Sequence, residues 1–257
     1  SRTSSAVSRS SAPGGGSAER HGPNFCSVKM PVRQNTSIFE SAGTSSGAVT
    51  PIDAGDLPQK SDYLIATDPT DEDRNPMLDL VNRREFGWPT ELRPIGNGSH
   101  DKEPFASWWE RNASRLANLG PCVAEQWVYR HWGESPFLFL PLEQLHATCE
   151  LWPTDVLLAT VHIEFGGPVD PEHDYRTFSG NGADPLSTAL NWREGSWTVP
   201  IVVLRTPRGI RTHGGDRPDI RFLLIEGSKR VRWLHALHFR GTPTGPHFVN
   251  VLELGSG

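Results

Sequence analysis

The clearest hydrophobic pattern lies in about the last seventy residues. The segment "SWTVPIVVLRTP" (196–207) contains the apolar run Val199–Leu204, and "IRFLLIEG" (220–227) contains a second one. Short β-branched runs bounded by turn residues predict strands. The second run is apolar on successive positions, which indicates a strand covered on both faces. The segment between them, "RGIRTHGGDRPD", is predicted to be a connecting loop or hairpin.

A helix and a closing strand are predicted after these two strands. In "SKRVRWLHALHF" (228–239), Val231, Leu234 and Leu237 recur at helical spacing and share one face. A turn, "RGTPTGP", separates this helix from the apolar segment "HFVNVLEL" (247–254). The order of elements predicts an α+β fold, with a small mixed sheet and helices packed on it.

Tryptophan-rich helical patterns precede this unit. Apolar residues fall near one face in 103–121 and again in 122–133, and Pro153 or Thr154 is a suitable start for a short further helix. The segment 135–145 is predicted to be a strand or an extended entry, and the turn-rich 166–185 to be a long loop. The tryptophans Trp108, Trp109, Trp127 and Trp132 are predicted to build a core, with a base-stacking platform as the alternative.

Composition divides the chain into three parts. The first 84 residues contain no tryptophan, one tyrosine and two phenylalanines, and are rich in Ser, Thr, Gly and Pro. Such a segment buries too little apolar surface to offset the entropy of ordering. We therefore predict a disordered low-complexity tail over 1–84, a helical extension over 85–150 and the α+β domain over 151–254.

Charge and cysteine content restrict the partners. A net charge of −5 argues against a general nucleic-acid surface, so DNA binding is unsupported, although one local basic site stays open. No apolar run approaches the roughly 20 residues of a membrane span. The three cysteines lack metal-ligand spacing, and no secretory segment is visible. A cytoplasmic protein with reduced thiols and no membrane partner is expected.

The junction of the second strand with the helix carries the candidate chemistry. The first N–H groups of a helix lack internal partners and attract anions. Gly227 permits close approach of a ligand to the backbone, and Ser228 offers a hydroxyl. Lys229 and Arg230 place two cations at the helix end that disfavours them, a conflict that a bound phosphate would remove. The alternative is a Gly-Ser turn with basic residues in water.

The stretch "LLIEGSKRVRWLHAL" (223–237) resembles the phosphate-binding box of the ParB/sulfiredoxin-like superfamily. In that box a strand ends in Gly, two polar or basic residues follow, and then come an Arg, one residue and often another Arg. Gly227, Arg230 and Arg232 fall on the Gly and Arg positions. The segments "GSWTVPIVVL" and "HFVNVLEL" also resemble the family's flanking strands, so the resemblance covers roughly 185–254.

The resemblance implies a domain that binds a nucleotide or another phosphorylated small molecule. The cofactor expected is a nucleoside triphosphate or diphosphate of unspecified base, with or without Mg²⁺, held by Gly227, Ser228, Lys229, Arg230 and Arg232. The reaction, if any, would be nucleotide hydrolysis or phosphoryl transfer. The alternative is a non-catalytic interaction module, or a DNA-linked one, in which the box only grips phosphate.

Two departures narrow these expectations. The reactive cysteine of sulfiredoxins would fall at Ser228, which cannot form a thiolate, so that repair activity is not expected. Partition proteins continue into a second nucleotide motif and a helix-turn-helix, for which too few residues follow 254.

Glu226 is the candidate catalytic residue, which would orient a base, help to position a metal ion, or act as a general base near a transferred phosphoryl group. Its structural alternative is an ion pair with Arg230 or Arg232. Arg230→Ala is expected to weaken phosphate binding and to leave the helix intact, because alanine is the better helix former.

Overall fold

A computed structural model of the chain describes residues 77–82, 87–96, 101–180 and 186–255. The strands are β1 (Leu78–Asp79), β2 (Leu145–Trp152), β3 (Val161–His162), β4 (Trp192–Arg193), β5 (Ser196–Trp197), β6 (Ile201–Arg205), β7 (Ile210–Thr212), β8 (Gly215–Arg217), β9 (Phe222–Glu226) and β10 (His247–Leu254). The helices are α1 (Phe105–Asn112), α2 (Gly120–Val123), α3 (Thr154–Thr160), α4 (Pro171–Phe178), α5 (Ser187–Leu190) and α6 (Ser228–Phe239). A π-helical segment, Ala124–Tyr129, continues α2, and 3₁₀ turns cover Thr90–Leu92 and Leu142–Gln144.

The main sheet has five strands in the order β2-β10-β6-β9-β3. β10 is antiparallel to β2 and parallel to β6, whereas β9 is antiparallel to β6 and parallel to β3. The predicted hairpin after β6 is present as β7 and β8. The α+β class and the mixed sheet are therefore confirmed.

Both faces of this sheet are covered. On one face α6 packs through Val231 and Leu234 against β-branched residues of β6 and β10. On the other face lies a larger cluster around Trp108 and Trp127, which reaches Leu223 on β9. Trp108 and Trp127 are almost fully buried, and Trp109 and Trp132 pack partly buried against the same cluster, as expected of a core.

The helical segment and the sheet thus share one core, although the sequence suggested separate units. The boundary predicted between 150 and 151 falls inside β2, which pairs with β10 over eight residues. Buried and exposed residues do not alternate regularly along β2, because it is an edge strand with several half-exposed positions. The sequence pattern therefore did not predict a strand there.

The prediction of a loop over 166–185 is wrong for residues 171–178, which form α4. The Asp170 carboxylate caps this helix by accepting the His173 N–H at 3.0 Å, and Pro171 occupies the first turn, where its missing N–H is harmless. Tyr175 and Phe178 pack on the Trp233 ring of α6. Residues 181–185 lie outside the described residues.

The prediction of a tail over 1–84 lies largely outside the described residues. It is wrong for 77–82, because β1 pairs in parallel with β7 and Leu80 is 3% exposed. Cys149 is a free thiol. Within the described ranges no helix is long and apolar enough to cross a membrane.

Candidate functional site

A pocket of about 270 Å³ opens where β9 passes into α6. Glu226, Gly227 and Ser228 form one side of this junction pocket. Other lining residues come from a different part of the chain, the end of the π-helical segment and the turns after it. Three of the residues predicted from the sequence therefore line a real concavity.

Gly227 is required at the junction by its backbone and by its neighbours. Its φ is 105°, in the left-handed region that glycine alone adopts freely. A Cβ there would lie 2.7 Å from Cγ2 of Ile201 and 2.9 Å from a guanidinium nitrogen of Arg230. The glycine predicted to admit a ligand thus also admits the Arg230 side chain.

The N-terminus of α6 offers backbone donors at the pocket. The Gly227 carbonyl accepts the N–H groups of Arg230 at 2.9 Å and Val231 at 3.0 Å. The N–H groups of Ser228 and Lys229 have no partner inside the helix. Ser228 is half-buried and Lys229 is exposed. The first turn therefore supplies two N–H groups and one hydroxyl near the pocket, whereas the exposed Lys229 is not among the residues that line it.

Arg230 does not extend into solvent but folds back onto Glu226. Its guanidinium forms an ion pair with the Glu226 carboxylate and donates to Gln126 Oε1 at 3.2 Å. The side chains of Arg230 and Glu226 are 17% and 22% exposed. The buried Nε of Arg230 has no hydrogen-bond partner within the described residues. The structural alternative for Glu226, a partner of Arg230, is confirmed.

The same pair sets the charge at the pocket wall. Burial opposes ionisation of Glu226, but Arg230 and His131 outweigh it and hold the pKa of this carboxyl below its usual value. Burial lowers the pKa of Arg230, and Glu226 opposes that shift. A second Glu226 oxygen lies 3.8 Å from His131 Nε2. Glu226 is therefore an ionised acceptor with one oxygen held by Arg230.

Arg232 has a different position from the one that the sequence suggested. Its guanidinium donates through two nitrogens to the buried Asp174 carboxylate at 2.8–3.0 Å, and to the Gly166 carbonyl at 2.7 Å. These contacts tie α6 to α4 and to the turn before it. Among the residues that line the pocket, Arg232 bonds to the Gly166 carbonyl, and its other bonds go to Asp174 on α4.

Sequence reasoning missed the lining residues that precede β2 in the chain. These are His131, Glu134, Ser135 and Phe137, together with Trp127 of the π-helical segment. π-Helical turns occur often at functional sites, and a sequence gives little sign of them. Phe165 and Ile163, from the chain after β3, complete the apolar part. Only the tryptophan, weighed as a stacking platform, gave a signal.

No group of three or more His, Cys, Asp or Glu side chains in the described ranges could hold a metal ion. Comparison of the chain with family models, curated proteins and solved structures finds no match.

Proposed function

We propose that the junction pocket binds a small phosphorylated ligand, with nucleotides as the leading class and the ParB/sulfiredoxin-like box as the resemblance that suggested it. The observation that supports this is the position of Gly227 and Ser228 on the pocket wall at the start of α6. Backbone N–H groups and the helix dipole favour an anion at that end.

Each member of the box has a distinct part in this proposal. The Ser228 and Lys229 N–H groups and the Ser228 hydroxyl donate to phosphate oxygens, and exposed Lys229 adds charge. Arg230 contributes positive charge without lining the pocket, because its guanidinium pairs with Glu226. Its buried Nε has no hydrogen-bond partner within the described residues. Arg232 holds α4 and is not assigned to the ligand.

The volume of the pocket limits the size of the ligand. Pockets for drug-sized ligands measure about 300–1,000 Å³, and the junction pocket measures about 270 Å³. It suits a compact phosphorylated molecule, or part of a nucleotide with the remainder outside, better than an enclosed nucleoside triphosphate.

Glu226 is a weak general base here, since a carboxyl with a lowered pKa holds a proton poorly. Its ionised oxygen near His131 is better suited to accept a ligand hydroxyl or to hold a Mg²⁺ ion that arrives with phosphate. Mg²⁺ would neutralise phosphate charge there, as hard oxygen ligands favour. Hydrolysis or phosphoryl transfer is the catalytic form of the proposal, and a phosphate grip without turnover is the non-catalytic form.

Calorimetric titration of the chain with inorganic phosphate and nucleoside diphosphates tests the proposal. Lys229→Ala should weaken binding about fivefold, since an exposed charge at about 4 Å contributes about 1 kcal/mol. Arg176→Ala, which removes an exposed cation from α4, should leave affinity unchanged. Added salt should weaken binding.

Phosphate release from triphosphates with and without Mg²⁺ separates the two forms. Turnover supports the catalytic form, whereas binding without turnover supports a grip. Absence of binding for phosphate and all nucleotides would refute the proposal.

A further inference from the structure

Ser135 holds a buried hydrogen-bond donor at the junction pocket. The residue is 6% exposed, and its Oγ accepts Trp127 Nε1–H at 3.0 Å and the Phe137 backbone N–H at 3.2 Å. A serine hydroxyl has two lone pairs and one hydrogen, so both acceptor positions are filled. Within the described ranges no acceptor is recorded for that hydrogen. It is free to donate to a ligand atom in the pocket that Ser135 lines.

The preceding residue, Glu134, also lines the pocket and offers the opposite chemistry. Its exposed carboxylate makes no hydrogen bond or ion pair recorded in the described part of the chain, whereas Glu226 is held by Arg230. An ionised carboxylate only accepts, and its two oxygens lie side by side. It is complementary to two neighbouring donors on a ligand.

We infer that Glu134 and Ser135 read the pairing edge of a guanine base. This edge presents the acceptor O6 beside the donors N1–H and N2–H₂, which matches a hydroxyl donor and a carboxylate from two consecutive lining residues. Adenine and cytosine place a ring-nitrogen acceptor beside their amino group, and uracil places a carbonyl on each side of its N–H. Each of these would set an acceptor against the carboxylate, which discriminates against it.

The other lining residues include aromatic side chains, which can contact the ring faces of a base. Phe137 and Phe165 meet edge to face with ring centroids 5.3 Å apart, and half-buried Ile163 also lines the pocket. Contact with aromatic rings holds every base similarly. Selectivity must therefore come from the polar pair. The inference rests on the proposed function, because the phosphate of the nucleotide would lie toward Ser228.

Calorimetry of the full chain with GDP, inosine diphosphate, ADP, CDP and inorganic phosphate tests the inference. A bidentate base contact gives roughly tenfold to hundredfold discrimination, so GDP should bind that much more tightly than ADP or CDP. Inosine diphosphate, which lacks the N2 amino group, should be intermediate. Glu134→Gln should bring GDP to within about threefold of ADP, since an amide offers one acceptor in place of two. Glu143→Gln, an exposed glutamate outside the pocket, should keep the preference.

The outcomes distinguish this inference from the proposed function. Equal affinity for all four diphosphates, with phosphate also bound, overturns base reading and leaves phosphate binding intact. A preference for GDP that survives Glu134→Gln in a protein of unchanged melting temperature overturns the assignment of Glu134. Absence of binding for every probe overturns both.

Discussion

Removal of Arg230 should destabilise the whole fold, because Glu226 would be left without its partner. Breaking a fully buried ion pair costs about 3–5 kcal/mol. Here the side chains are 17% and 22% exposed and His131 stays near, so we expect Arg230→Met to cost about 2–3 kcal/mol. With a denaturant slope of about 2 kcal/mol/M, the urea midpoint should fall by about 1 M. The expectation from sequence was that Arg230→Ala weakens phosphate binding and leaves the helix intact; the ion pair with Glu226, which was the structural alternative, adds a loss of stability.

The pH dependence gives the sign of the effect. In the native chain the pKa of Glu226 is lowered, so the pair stabilises the fold above the carboxyl's unfolded pKa and less as pH falls through the folded pKa. In Arg230→Met, burial raises that pKa, and the penalty should shrink as acid protonates Glu226.

Urea titrations at pH 7 and pH 4.5 measure both effects, with Glu226→Gln and the double variant completing a cycle. The double variant should lose less free energy of unfolding than the two single variants lose in total. Additive losses, or a loss under about 0.5 kcal/mol for Arg230→Met, would refute the reasoning.

Three further predictions concern other parts of the fold. Burial lowers the pKa of His247 to about 4, so the folded chain resists protonation of this ring. The free energy of unfolding should therefore fall by up to about 3 kcal/mol as pH drops from about 6.5 to 4. In urea titrations over this pH range, the midpoint of His247→Asn should fall less than that of the unsubstituted chain. Gly227→Ala should lower the melting temperature more than Gly133→Ala. Both glycines have positive φ, but an added Cβ would contact Ile201 only at position 227. Equal shifts in melting temperature would contradict this. A chain that begins at residue 85 should melt below one that begins at 77, because it lacks β1 and buried Leu80.

Strong local patterns gave the elements around the site. The bounds of α6 and β10 agree with the predicted 228–239 and 247–254, because a left-handed glycine starts the helix and buried valines repeat along the strand. The same patterns placed Gly227 and Ser228 at a helix N-terminus, and the structure adds the pocket beside it.

Long-range pairing could not be read from the sequence. Arg232 is held by Asp174, 58 residues earlier, and Arg230 donates to Gln126, 104 residues earlier. A sequence motif does not show whether a basic side chain is solvated or paired with a carboxylate from a distant part of the chain. The part of the lining that contains Ser135 was not predicted for the same reason, because only folding brings it to the N-terminus of α6.

The position of β10 between β2 and β6 has a consequence for synthesis on the ribosome. Residues 247–254 are the last of the described strands to be made, yet they lie in the interior of the sheet. Until they emerge, β2 and β6 have no strand to join them, and each presents an open edge that invites pairing with other chains. A nascent chain that lacks these eight residues holds its sheet in two parts, so the sheet closes only once this segment is free to pair with both neighbours.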